Sequence, residues 1–154
     1  MRHRGASRRV IGIGNGDRGD DGAGLACIAA LHARLASDIE LLRCDGEPAA
    51  LLALLEGSRE VYLIDACTGG LPAGRIHRWN IARRPLPARA GIASTHGLGL
   101  AEALELARAL GVLPQRCVVY AIEGRSYEVG QPLSAPVRAA VESVVRRIER
   151  ATAR

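Results

Sequence analysis

Arg9-Val-Ile-Gly-Ile-Gly14, continuing through Asn15-Gly-Asp-Arg-Gly-Asp-Asp21 to Gly22-Ala-Gly24, is the stretch on which the fold turns. A short apolar run of β-branched residues ending in glycines is the signal of a strand buried on both faces. The glycine-rich turn behind it carries two acids, and a run of helix formers with Ile28, Leu31 and Leu35 on one face follows. A helix is expected from Asp20 or Asp21 to about Leu35. An Asp at its start would cap free N–H groups and complement the dipole, and Asp20 is the better cap candidate of the two.

The same grammar repeats outward. Ile39–Cys44 reads as a second strand, and Pro48 opens a Leu/Ala helix that stops near Gly57. Glu60–Asp65 is a third strand, expected to stop at Asp65. Gly69, Gly70, Pro72 and Gly74 mark turns. Arg75–Ile81 alternates Ile76, Arg78 and Asn80 with His77, Trp79 and Ile81, an outer-strand pattern. Residues 82–95 are rich in Arg, Pro and Ala and read as a surface loop. A helix over about Leu98–Leu110, a strand over Cys117–Ile122 and a last helix capped by Ser134 complete the order. In that last helix Val137, Val141, Val144 and Ile148 fall on one face. Strands alternating with helices predict an α/β class: one doubly wound, largely parallel five-stranded sheet with helices on both faces. Residues 1–8 read as a disordered basic tail and 9–154 as one domain.

Composition narrows the function. A chain of 154 residues buries roughly 70% of its unfolded surface and needs no staple to fold. No apolar run approaches the ~20 residues of a membrane span, and the basic start lacks the apolar stretch of a signal peptide. The expectation is a cytoplasmic protein with no membrane association. Cys27, Cys44, Cys67 and Cys117 show no C-x-x-C or zinc-finger spacing and read as buried thiols. The 21 basic residues are all arginine, scattered, with one Trp and three Tyr for stacking. That argues against nucleic acid.

In a doubly wound sheet, ligands bind beyond the carboxyl ends of the strands. Three polar groups fall there: Asp21 after the first strand, Asp65 at the end of the third, and His96 in Ser94-Thr-His-Gly97 before a helix. Taken singly, Asp21 is a helix cap, Asp65 a turn cap and His96 a loop histidine. Together, two carboxylates and an imidazole make an open oxygen/nitrogen site suited to a borderline divalent ion such as nickel or zinc. His3, His32 and His77 read as structural or solvated.

Two other chemistries compete. Gly14, Gly16 and Gly19 satisfy G-x-G-x-x-G in the strand-to-helix setting of a dinucleotide fold, with Asp45 as a late ribose acid. Yet Asp17, Asp20 and Asp21 occupy the helix start, where a pyrophosphate would need positive potential. A catalytic thiol at Cys67 with His96 as base is the other, and it requires contact and a lowered pKa.

These residues resemble the signatures of hydrogenase-maturation endopeptidases. Gly12–Gly24 is similar to the family's opening segment. Ile64-Asp-Ala66 with Gly69-Gly70-Leu-Pro72 and Gly74 is similar to its second, and Ser94–Leu100 to its third. The likeness runs from about Val10 to Ile148. It implies a doubly wound α/β fold and an endopeptidase that trims the C-terminus of a [NiFe]-hydrogenase large-subunit precursor after nickel insertion. Asp21, Asp65 and His96 then carry catalysis and metal recognition, with nickel held by the substrate and another divalent metal accepted in isolation. Loop 82–95 would shape which precursor is accepted. The resemblance also allows a relative that binds metal without cleaving. Two departures stand out: Asp17 replaces a commonly apolar residue, and Asp21 stands where many members have Glu.

Overall fold

The structure is a computed structural model that describes residues 8–87, 93–94 and 99–153. Among these residues six strands form one sheet: β1 (Arg8–Ile13), β2 (Ile39–Cys44), β3 (Glu60–Thr68), β4 (Ile76–Asn80), β5 (Ala93–Ser94) and β6 (Arg116–Glu123). The helices are α1 (Ala23–Leu31), α2 (Pro48–Leu55), α3 (Gly99–Ala109) and α4 (Ala135–Thr152). The main path runs β2-β1-β3-β6-β4, with β5 paired to β3. β1, β2, β3 and β6 are parallel, whereas β4 is antiparallel to β6 and β5 to β3. The five strands of the path are those expected, and the two-residue β5 is an addition inside the expected loop 82–95. The rest of that loop from 88 to 92, and residue 95, lie outside the described residues, as do 1–7 of the expected tail. Arg8, assigned to the tail, instead opens β1 and pairs with Ile39 and Glu60.

Period-two alternation sorts the core into two layers. Val10, Tyr62, Ile64, Val118, Tyr120 and Ile122 face α1 and α4. Ile11, Ile13, Val61, Leu63, Cys117 and Val119 face α2 and α3. Both sets are buried, which is why these strands read as continuous apolar runs. Val137, Val141, Val144 and Ile148 of α4 are buried as their spacing predicts. Glu47 caps α2, its carboxylate accepting from the N–H groups of Ala49 and Ala50. Among the described residues no helix is long and apolar enough to cross a membrane.

Glycines let α1 lie unusually close to the sheet. A Cβ on Gly12 would stand 2.4 Å from the Gly24 carbonyl oxygen, and one on Gly24 would stand 2.5 Å from that of Ile64 and 2.6 Å from that of Ile13. These two glycines of the opening stretch thus serve helix–strand contact, which brings the start of α1 against β3. Because β1 precedes β2 on one side and β3 on the other, the chain changes winding direction at the β1/β3 boundary. That is where such folds bind ligands.

Candidate functional site

The loop after β1 does not feed directly into an α-helix. A 3-10 turn, Gly19–Gly22, intervenes and holds both acids of the sequence, fully buried. Asp20 is not the helix cap that its position suggested. Its Oδ2 accepts from the N–H of Arg125 (2.7 Å) and Ser126 (3.3 Å) and from the Ser134 hydroxyl (2.9 Å), while Oδ1 accepts from the Ser134 N–H (2.7 Å). Burial alone would raise its carboxyl, but these four hydrogen bonds outweigh that and hold it below the usual carboxylate range. Ser134, expected to cap α4, commits its hydroxyl to this clamp and makes no side-chain cap.

With Asp20 clamped, Asp21 takes a different partner. Its Oδ2 accepts from the Asn15 N–H at 3.0 Å, closing the Gly14–Asp21 loop on itself. Gly14 adopts φ 153°, and a Cβ there would stand 2.0 Å from the Asp21 carbonyl oxygen, so the loop requires glycine at that point.

β3 does not stop at Asp65; it continues to Thr68 because β6 on one side and β5 on the other extend its pairing. Its last rung with β1 is Gly12↔Ile64, so Asp65 is the first residue of β3 beyond it. Asp65 is 1% exposed and lies at the level where the start of α1 meets the Ile64 carbonyl. The Gly19–Gly22 turn that carries Asp21 packs against β3, so both acids belong to the β1/β3 side of the sheet. His96 lies outside the described residues. Ser94, two positions before it, pairs with Cys67 two positions after Asp65, so the segment leading to His96 is laid along the end of β3.

An open groove of about 590 Å³ lies at the carboxyl ends of β1 and β2, between α1 and α2. Gly14, Leu25, Cys44, Ala50, Ala53 and Leu54 give it a largely apolar lining, to which Arg43 and Asp45 add charge.

Sequence reasoning missed a second cluster. Cys67, His77 and Glu123 each bring one donor atom to within 4.8 Å of the others. His77, read as structural or solvated in an outer strand, is half-buried and stacks on Trp79 with centroids 5.1 Å apart. Its Nε2 lies 3.1 Å from Glu123 Oε1. Two signals were available: His77 shares its alternation face with Trp79 and Ile81, and Glu123 directly follows the apolar run Cys117–Ile122. Cys67 is no ready nucleophile, since burial first, and then the charges of Glu123 and Asp65, push its thiol up to about 12. Cys27 and Cys117 are likewise pushed up to about 12, by burial. The dinucleotide reading is not favoured either, because buried acids fill the helix start where phosphate would bind.

Comparison with known proteins places these observations. A model of the HycI type, described as hydrogenase maturation protease, matches residues 26–151, a span that includes Asp65 and His96 and begins after Asp21. The hydrogenase expression/formation protein HoxM of Cupriavidus necator is 30% identical over 88% of this chain and 69% of its own. HupD of Bradyrhizobium diazoefficiens is 30% identical over 84% of this chain and 69% of its own. Among solved structures, the [NiFe] hydrogenase maturation protease HybD from Thermococcus kodakarensis superposes with a TM-score of 0.75 at 25% identity, covering 94% of this chain and 99% of its own. The Escherichia coli maturating endopeptidase HybD shares the fold, with a TM-score of 0.75 at 22% identity over 91% of this chain and 88% of its own.

Proposed function

Since this chain belongs to the hydrogenase maturation protease family, we propose that it removes the C-terminal extension of a [NiFe]-hydrogenase large-subunit precursor once nickel has been inserted. What supports the proposal is a pair of buried acids, Asp21 in the turn that packs against β3 and Asp65 just past the last β1/β3 rung, with Ser94, two positions before His96, paired to the end of β3.

In this reading the metal arrives with the substrate. Asp21, Asp65 and His96 complete the coordination of nickel carried by the precursor, and the protease acts only on a loaded partner. Two carboxylates offset the charge of a divalent ion, and the imidazole supplies the borderline donor that nickel favours. The Asn15 N–H on Asp21 orients that carboxylate from behind. In this reading the precursor's C-terminal peptide enters along the groove past Ala53 and Leu25 to Gly14, and docking of the metal aligns its scissile bond. For hydrolysis, a metal held by these residues would polarise the carbonyl or activate water, or a carboxylate such as Asp21 would act as general base. Asp21→Asn separates neutral coordination from proton transfer at that position.

The test is a mass measurement. The purified protein is incubated with a nickel-loaded large-subunit precursor from the same organism, beside Asp21→Asn, Asp65→Asn and His96→Ala. Loss of a short C-terminal peptide that needs nickel and is absent with His96→Ala supports both function and site. An intact precursor across several candidates argues for a relative that binds without cleaving. Full trimming by Asp21→Asn would remove that residue from the site.

A further inference from the structure

Cys67, His77 and Glu123 come from three adjacent strands. Cys67 and Glu123 are direct partners across the parallel β3/β6 pair. His77 sits opposite Ala121, two residues from Glu123 and therefore on the same sheet face. Parallel and antiparallel pairing thus bring a thiol, an imidazole and a carboxylate side by side at the carboxyl end of the sheet. Their donor atoms fall within 4.8 Å of one another.

Each donor is held from behind. Glu123 Oε2 accepts from the Gly69 N–H at 2.9 Å, which fixes the carboxylate and turns Oε1 toward His77. The His77 ring is locked by near-parallel stacking on Trp79, with 5° between the planes. Cys67 lies on the central strand and is anchored by its carbonyl, which accepts from the Tyr127 hydroxyl at 2.8 Å and the Gly124 N–H at 3.1 Å. Donors oriented by outer partners are what a metal centre needs. Burial favours a bare ion over a peptide as occupant. Cys67 and Glu123 are 2% and 1% exposed, whereas the His77 side chain, at 15%, offers the route from solvent.

We propose that Cys67, His77 and Glu123 form a second metal site, distinct from Asp21, Asp65 and His96, that binds a zinc-class divalent cation. Sulfur, nitrogen and oxygen donors together suit zinc and leave a fourth position for water. A thiolate and a carboxylate balance two positive charges. As the metal–sulfur bond forms, the Cys67 thiol gives up its proton to solvent, so one proton is released per ion bound. The ion clips edge strand β4 and the Gly69 turn to the ends of β3 and β6, two residues from Asp65. This inference goes beyond the proposed protease activity and does not depend on it.

Cobalt(II) is the probe, because its thiolate complexes give a near-ultraviolet charge-transfer band that oxygen and nitrogen ligands alone do not. Chelator-stripped full-length protein should develop this band to saturation at one equivalent, and zinc should erase it. Cys67→Ser should abolish the band, whereas Asp21→Asn should keep it. His77→Gln, at a half-buried position that tolerates change, should weaken cobalt binding at least tenfold and so decides the matter if Cys67→Ser fails to fold. Absence of the band in the wild type, its survival in Cys67→Ser, or unchanged affinity in His77→Gln would overturn the proposal. The band is recorded without precursor or trimming, so failure of the protease reading and failure of the metal site remain separable.

Discussion

Asp20→Asn is the substitution whose cost can be worked from the bonds themselves. The carboxylate offers two acceptor oxygens to four donors: the N–H groups of Arg125, Ser126 and Ser134 and the Ser134 hydroxyl. An amide offers one. If its oxygen keeps the Arg125 side, its NH2 faces the Ser134 N–H, and a buried donor loses its acceptor at about 1–3 kcal/mol. The bonds that survive pass from charge-assisted to neutral, which roughly halves each. Together the loss is about 3 kcal/mol, or about 6–12 °C in Tm for a domain of this size. The pH dependence follows from the depressed carboxyl. A folded pKa below the unfolded value gives stability that is fully present above about pH 3.9 and is lost as pH falls through the folded pKa. The gap between wild type and Asp20→Asn should therefore be constant from about pH 7 to 5 and narrow below about pH 4. Urea unfolding followed by far-ultraviolet circular dichroism at several pH values measures it. A gap under about 1 kcal/mol at neutral pH, or one that does not shrink in acid, would refute the clamp.

Other outcomes follow from the same geometry. Gly24→Ala places a Cβ within 2.6 Å of two backbone oxygens and should cost about 3 kcal/mol. Gly16→Ala meets only Leu25 Cδ1 at 3.7 Å and should stay within about 0.5 kcal/mol in thermal melts, so the reverse ranking would contradict the packing described. Iodoacetamide at about pH 7.5 should leave the native thiols unmodified, because burial keeps them protonated. Mass spectrometry should find all four alkylated only after unfolding, and one fast native adduct would argue against that environment. Ala53→Trp, at an exposed position on the groove, should slow precursor trimming at least about tenfold with little change in stability. Unchanged trimming would move the peptide's path elsewhere.

The sheet was legible because Val10, Ile11, Val61, Tyr62, Val118 and Val119 bury both strand faces, which leaves an apolar run as its trace. The end of β3 was not, because Asp65 reads as a polar stop while its pairing to Thr68 comes from residues far along the chain. The first helix was expected to reach Leu35 but ends at Leu31, with the Leu35 N–H still donating to the Leu31 carbonyl through a turn. Asp20 has the local signature of a cap, and its true partners lie 105 to 114 residues away, beyond any window of local pattern. The candidate acids were found by the topological rule, not by any local mark. The Cys67–His77–Glu123 group was missed because its members are far apart in sequence and meet only through sheet register.

The Asp20 clamp also sets a calendar for the molecule. A chain leaves the ribosome from its N-terminus, and the loop that holds Asp21 emerges early, yet the donors that fix its neighbour are Arg125, Ser126 and Ser134. Until those residues have been synthesised, the turn at Gly19–Gly22 has a carboxylate to bury and none of the donors that hold it, and the acid pair cannot settle. Closing a loop of that length costs only slowly more with distance, so the delay is one of order and not of energy. The turn is thus fixed only once Ser134 has been made, and a nascent fragment that stops short of it lacks two of the four donors to Asp20.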